Sequence, residues 1–208
     1  MNIFNPQLEK YIVNLMPPMN DVLREMTKFG ESKNFPIIGP LCGQFLRQMA
    51  LATKARNIFE MGSGFGYSAV WFSLGLQPGG KIICTDGNAG NKDRAIGYFK
   101  RLGIDNKIEF HVGKAQDILE KQQGLFDIIF NDVDKEQYPE TLDLALPKLC
   151  SGGLFITDNA LWGGQVIQDG GDIYTKGVKE FNKLSFGRKD IITMIVPLRD
   201  GLSVSVKL

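Results

Sequence analysis

From about Asn57 onward the chain alternates short apolar, strand-like runs with longer amphipathic segments, and this alternation constrains the fold more than any other feature. Strands are predicted over 58–61, 81–85, 107–112, 126–131 and 154–157, with helices over 67–76, 91–102, 115–122 and 138–149 between them. Each intervening segment is long enough for a crossover that brings the next strand back parallel. The pattern predicts a parallel, doubly wound α/β sheet. The rhythm then breaks: 191–198 and 202–208 are apolar and rich in β-branched residues, joined by Arg199-Asp200-Gly201, and read as an antiparallel hairpin. Residues 1–56 read as helices broken at Pro17-Pro18 and around Pro36 to Pro40. With no linker or repeat in sight, the expectation is one domain over 1–208, a helical cap (1–56) lying over one edge of an α/β core (57–208) and its mouth.

Charge and composition remove several function classes. Twenty-four basic residues stand against 23 acidic ones, with no long basic run, which argues against nucleic-acid or anionic-membrane partners. No segment approaches the ~20 apolar residues of a membrane span, and the first fifteen residues lack the apolar core of a secretion signal. Cys42, Cys84 and Cys150 lie far apart and suggest neither a disulfide framework nor a zinc knuckle, so a reducing cytoplasm is expected. The single histidine, His111, lies in an alternating stretch and reads as a strand residue.

The segment from Asn57 to Ser68 is a strand, a glycine-rich turn and a helix start, a construction that lets a nucleotide-like ligand approach the backbone. Its spacing is Gly62-x-Gly64-x-Gly66. A dinucleotide fingerprint needs its third glycine one residue later, where this chain has Tyr67. Glu60 would repel a pyrophosphate and attract an ammonium such as that of S-adenosylmethionine. Asp86, at the next strand end, can accept hydrogen bonds from ribose hydroxyls, a device both cofactor classes use. Glu60, Tyr67 and the terminal hairpin together favour methyl transfer over the hydride transfer of an NAD-dependent oxidoreductase.

Two strand ends carry acids: Asn131-Asp132-Val133-Asp134-Lys135 and Asp158-Asn159. On neighbouring strands these would bring carboxylate and amide oxygens together, as hard divalent cations prefer; the same acids also read as helix caps. Tyr138, Trp162 and Phe65 are candidates to line an acceptor pocket or to fill core space.

The glycine loop, Gly113-Lys114-Ala115-Gln116-Asp117, Asp132-Val133-Asp134-Lys135 with Tyr138, Asp158-Asn159 with Leu161-Trp162, and Asp200-Gly201-Leu202, in this order, resemble the cation-dependent O-methyltransferases, which include catechol and caffeoyl-CoA O-methyltransferases. The resemblance spans nearly the whole chain. It implies a Rossmann-like class I methyltransferase fold with seven strands, S-adenosylmethionine as donor, and a divalent cation (Mg, Mn or Ca) holding a catechol-like, phenolic acceptor. It implies metal ligands at Asp132, Asp158 and Asn159 and a catalytic lysine at Lys135. Cofactor contacts are implied at Ile38, Gly39, Glu60, Gly62, Ser68, Asp86, Ala115, Gln116 and Asp132, and the family often forms homodimers. Two departures stand out: Asn131 occupies a usually hydrophobic position, and Gly163 to Thr175 offers no obvious aromatic clamp for a large phenylpropanoid. A non-catalytic cofactor-binding scaffold would be expected to lack part of the metal set, all of which is present.

Overall fold

The computed structural model describes residues 5–208; the first four residues of the 1–56 segment lie outside them. Three helices come first, α1 (Pro6–Leu15), α2 (Asp21–Ser32) and α3 (Gly39–Ala52). Asn5 and Asn20 cap the first two, each side chain accepting a backbone N–H of the opening turn at 2.9 and 2.8 Å. The α/β part follows as β1 (Asn57–Met61), α4 (Tyr67–Ser73), β2 (Lys81–Asp86), α5 (Ala89–Leu102), β3 (Ile108–Val112), α6 (Ala115–Lys121) and β4 (Phe126–Asn131). It continues with α7 (Tyr138–Ala145), β5 (Leu149–Thr157), α8 (Ile173–Gly187), β6 (Ile191–Val196) and β7 (Leu202–Lys207).

The seven strands form one sheet in the order β3-β2-β1-β4-β5-β7-β6. The first five are parallel, and β7 inserts antiparallel between β5 and β6. Successive strand side chains point to opposite faces, so a strand buried on both sides must be apolar throughout. On one face Ile58, Ile82, Ile128, Phe130 and Ile156 meet α2 to α5 through Leu46, Trp71, Phe72 and Phe99. On the other, Phe59, Met61, Ile129 and Phe155 meet α6 to α8 through Leu119, Leu142, Val178 and Phe181. Strand order reverses between β1 and β4, and in such sheets the crevice beyond the carboxyl ends at that point is where ligands bind. Among the described residues no helix is long and apolar enough to cross a membrane.

Two elements differ from the sequence reading. The predicted helix 138–149 stops at Ala145, gives way to a single tight turn, and Leu149 already opens β5, five residues earlier than expected. Gly152, at φ +77°, hid that strand start. Helix α8 lies in a stretch not read as regular; its local signal is Asp172, whose Oδ1 accepts the Thr175 N–H at 2.8 Å, followed by the buried stripe Val178, Phe181 and Ser185.

Candidate active site

β1 runs into a turn in which Gly62 has φ +84°, and a Cβ there would lie 2.4 Å from the Asp132 carbonyl oxygen. The tips of β1 and β4 therefore touch through backbone, and only glycine fits. Ser63 N–H donates to the Thr85 carbonyl at 2.7 Å, and Gly64 N–H donates to Asp86 Oδ2 at 3.0 Å. The other Asp86 oxygen accepts from Asn88 N–H (2.8 Å) and Asn91 Nδ2 (3.0 Å), so the strand-end acid anchors the loop that it borders.

Glu60 is completely buried beneath this loop, among the helix-facing side chains of β1. Cys84 Sγ donates to Glu60 Oε2 at 3.3 Å, while Oε1 has no partner among the described residues. Burial pushes its carboxyl up to about 7, opposed by the neighbouring Ser68, Cys84 and Ser63. Tyr67, which occupies the position where a dinucleotide site needs glycine, is also buried and shares a hydrogen bond with Thr27 Oγ1 at 2.9 Å.

The second group gathers at the ends of β4 and β5. Lys135, on the single 3-10 turn leaving β4, donates from Nζ to Asp132 Oδ1 at 2.9 Å and to the Val133 carbonyl at 3.3 Å. The Nζ stands 5.1 Å from the Tyr138 ring centroid and 5.9 Å from that of Trp162, two aromatic faces that favour a cation. Asp158 is buried; loss of hydration pushes its carboxyl up to about 7, with the Asp132 charge adding to the rise and the Asn159 N–H opposing it. Burial raises Asp132 as well, against the pull of Lys135. Asn159, at φ +54°, donates from Nδ2 to Asp200 Oδ2 at 3.2 Å, which leaves its amide oxygen outside that bond. The other Asp200 oxygen accepts the Gly163 N–H at 2.5 Å.

A cavity of about 940 Å³ joins the two groups. Of the residues named from sequence, Ile38, Gly62, Ser68, Asp86, Asp132, Lys135, Asp158 and Asn159 line it. A smaller cavity of about 270 Å³ alongside is bounded by Ala115 and Gln116, again with Gly62, Asp86 and Asp132. Gly39 and Glu60 are on neither wall. Phe65 and Trp162 do face the large cavity, whereas Tyr138 is wholly buried and donates its hydroxyl to the Asp158 carbonyl at 3.0 Å, holding the strand end in place. Asn131 is an interior residue whose Nδ2 donates to Thr141 Oγ1 at 3.1 Å, while its Oδ1 has no partner among the described residues. Sequence reasoning missed Glu9 and Arg199 on the cavity wall; the one available signal, an arginine in the tight turn before Asp200-Gly201, reads there as turn chemistry alone.

The donor set fits a hard cation. Asp132 and Asp158 place two carboxylates near one another, Lys135 paired with the first and the Arg199 charge acting on the second, and the Asn159 amide supplies a third oxygen. Among the described residues no three His, Cys, Asp or Glu side chains converge, so a bound ion would need that amide and outside oxygens to complete its shell.

A seven-stranded sheet with a reversed terminal hairpin, a glycine loop after β1 and acids at the β2, β4 and β5 ends define a Rossmann-like class I methyltransferase. The chain belongs to the O-methyltransferase family, whose model matches residues 14–208. It is 30% identical to the catechol O-methyltransferase of Niastella koreensis over 85% of this chain and 83% of that one. It is 31% identical to the caffeoyl-CoA O-methyltransferase of Medicago sativa over 78% and 71% of the two chains. Among solved structures, the Bacillus cereus O-methyltransferase in complex with SAH superposes with a TM-score of 0.89 at 26% identity, covering 97% of both chains. TomG of Streptomyces achromogenes, solved with SAM, gives 0.88 at 25% identity over 97% and 96%.

Proposed function

We propose that this chain transfers a methyl group from S-adenosylmethionine to one hydroxyl of a small catechol-like acceptor, with a divalent cation (Mg, Mn or Ca) held by Asp132, Asp158 and Asn159. The observation that carries the reading is the oxygen cluster itself, set with Lys135 on the wall of the cavity that the glycine loop also bounds. The names of the Niastella and Medicago relatives support the acceptor class, and the SAH and SAM in the Bacillus and Streptomyces structures support the donor.

Methyl transfer from a sulfonium is an in-line displacement, so the residues must hold an oxygen nucleophile roughly 3–3.5 Å from the methyl carbon and exclude water. Asp86, Ser68 and the glycine-loop backbone orient the donor; Phe65 and Trp162 supply apolar walls beside it. A divalent cation, when bound, lowers the pKa of a vicinal diphenol that is ordinarily about 10. Lys135 would receive the hydroxyl proton at Nζ as the uncharged amine, the form that a divalent cation held at Asp132 would favour, Asp132 fixes where that nitrogen stands, and Tyr138 and Asp200 hold Asp158 and Asn159 from behind. The protein works in the cytoplasm with its three thiols free, and as a homodimer, a pairing supported by Ile192 and Met194 exposed along edge strand β6. The test is a methyl-transfer screen over vicinal diphenols with and without a chelator. Transfer that the chelator abolishes is expected; transfer indifferent to it would overturn the role given to the cation, and no transfer to any diphenol would overturn the acceptor class.

A further inference from the structure

Helix α1 carries no buried residue. Its half-buried side is Glu9, Ile12 and Val13, and the polar member of that stripe reaches the cavity. There the Glu9 carboxylate pairs with Arg199, Oε1 to Nε at 3.5 Å, both side chains about one-third exposed. Arg199 is the fixed partner. Its backbone is held at φ +49°, a left-handed conformation that strains a non-glycine residue. Nη1 donates to the Ile37 carbonyl at 2.7 Å, and the guanidinium packs so tightly over Gly39 that a Cβ there would sit 2.7 Å from Nη1. Glu9, by contrast, hangs from a helix that little else holds. The pair shares the cavity wall with Asp158 and Asn159. A strained, doubly anchored guanidinium on a cavity wall is a ready carboxylate receptor, and here the protein's own carboxylate fills it.

We propose that Glu9 and Arg199 set the charge specificity for the acceptor: Glu9 occupies Arg199 and so excludes acceptors bearing a carboxylate, and its withdrawal converts the site into one that prefers them. This rests on the acceptor reading above, in which the diphenol oxygens face Asp132 and Asp158; Glu9 and Arg199 line the same cavity, and the proposal adds that the ring substituent extends toward them. The two acceptors to compare are 3,4-dihydroxybenzoate and 3,4-dihydroxybenzyl alcohol, similar in size and different in charge. In the native protein the ratio of kcat/KM, benzoate over alcohol, is expected to favour the alcohol. Glu9→Gln should raise that ratio about tenfold or more, chiefly through KM for the benzoate, because a charge-assisted hydrogen bond to the freed guanidinium is roughly twice as strong as a neutral one. Glu9→Gln combined with Arg199→Met should return the ratio to near or below its native value, and Arg199→Lys in the same background should keep part of the gain. A ratio unmoved by Glu9→Gln, or a gain that persists without the arginine, would overturn the proposal. If the native protein methylates neither diphenol, the acceptor reading itself fails, and the specificity role falls with it; that outcome is distinct from an unmoved ratio.

Discussion

Glu60 gives a stability signature that can be worked from its surroundings. Its folded carboxyl is pushed up to about 7 from an ordinary value of 4.5 by complete burial, with the Asp132 charge adding to the rise and Ser68, Cys84 and Ser63 opposing it. Below about pH 4.5 the group is protonated in both the folded and unfolded chain and contributes no pH dependence. As pH rises toward 7 the unfolded chain releases its proton and the folded one does not, so the folded state binds more protons and stability falls with rising pH. Above 7 the loss is complete. Each tenfold change in proton affinity is worth about 1.4 kcal/mol, so the whole loss is about 3 kcal/mol. Glu60→Gln keeps the shape and an acceptor oxygen for Cys84 while removing the titration. Urea unfolding of both proteins across pH 4.5 to 8 isolates the effect from Asp132 and Asp158, which both chains share. The two proteins should be nearly equally stable at the acid end, and the variant more stable by about 3 kcal/mol at pH 8, a midpoint shift on the order of 1 M urea. Parallel curves across that range would refute the argument that Glu60 is held protonated by burial.

Lys135→Met should lower kcat by about 10²- to 10⁴-fold with cofactor affinity little changed by calorimetry, and the loss should be smaller for an already acidic nitrocatechol; an equal loss for both acceptors would point to a positioning role. Asp158→Ala should abolish the chelator-sensitive activity yet leave a cooperative thermal transition, because the bond from Tyr138 runs to the backbone carbonyl and survives the substitution; retained activity would return the strand-end acids to helix capping. Gly43→Ala should destabilise by roughly 1–3 kcal/mol, about 2–4 °C of melting temperature for each, since its Cβ would lie 2.3 Å from Trp71 Nε1 where α3 packs on α4; an unchanged melting temperature would contradict that packing.

The parallel sheet was readable because a strand buried on both faces cannot hide its composition: Ile58-Phe59 and Ile128-Ile129 send neighbours into separate cores. Where burial is one-sided or broken by glycine the signal fades, as at the exposed Ser151-Gly152 start of β5. The placement of the acids in the candidate site was legible as residue types at strand ends, since Asp86, Asp132 and Asp158 need only the strand to deliver them to the cavity. Depth was not. An acid one residue before a strand end, such as Glu60, reads alike whether it meets the ligand or lies sealed beneath the loop, and Tyr138 likewise, because facing is settled by the helices packed above. Arg199 was invisible as a site residue because its partners, Glu9 and the Ile37 carbonyl, lie more than 150 positions away.

The insertion of β7 between β5 and β6 has a consequence for synthesis. A ribosome delivers β6 before β7, the one strand that β6 pairs with among the described residues, so β6 leaves the exit tunnel with no place in the sheet. The same late hairpin carries Arg199 and Asp200, which brace the Ile37 and Asn159 parts of the cavity wall. Nascent chains can thus fold β1 to β5 and their helices early, as N-terminal parts generally do, yet stay without a finished acceptor pocket until the last strand slides in. Fragments left by stalled translation would then retain a glycine loop but have no braced place for a second substrate.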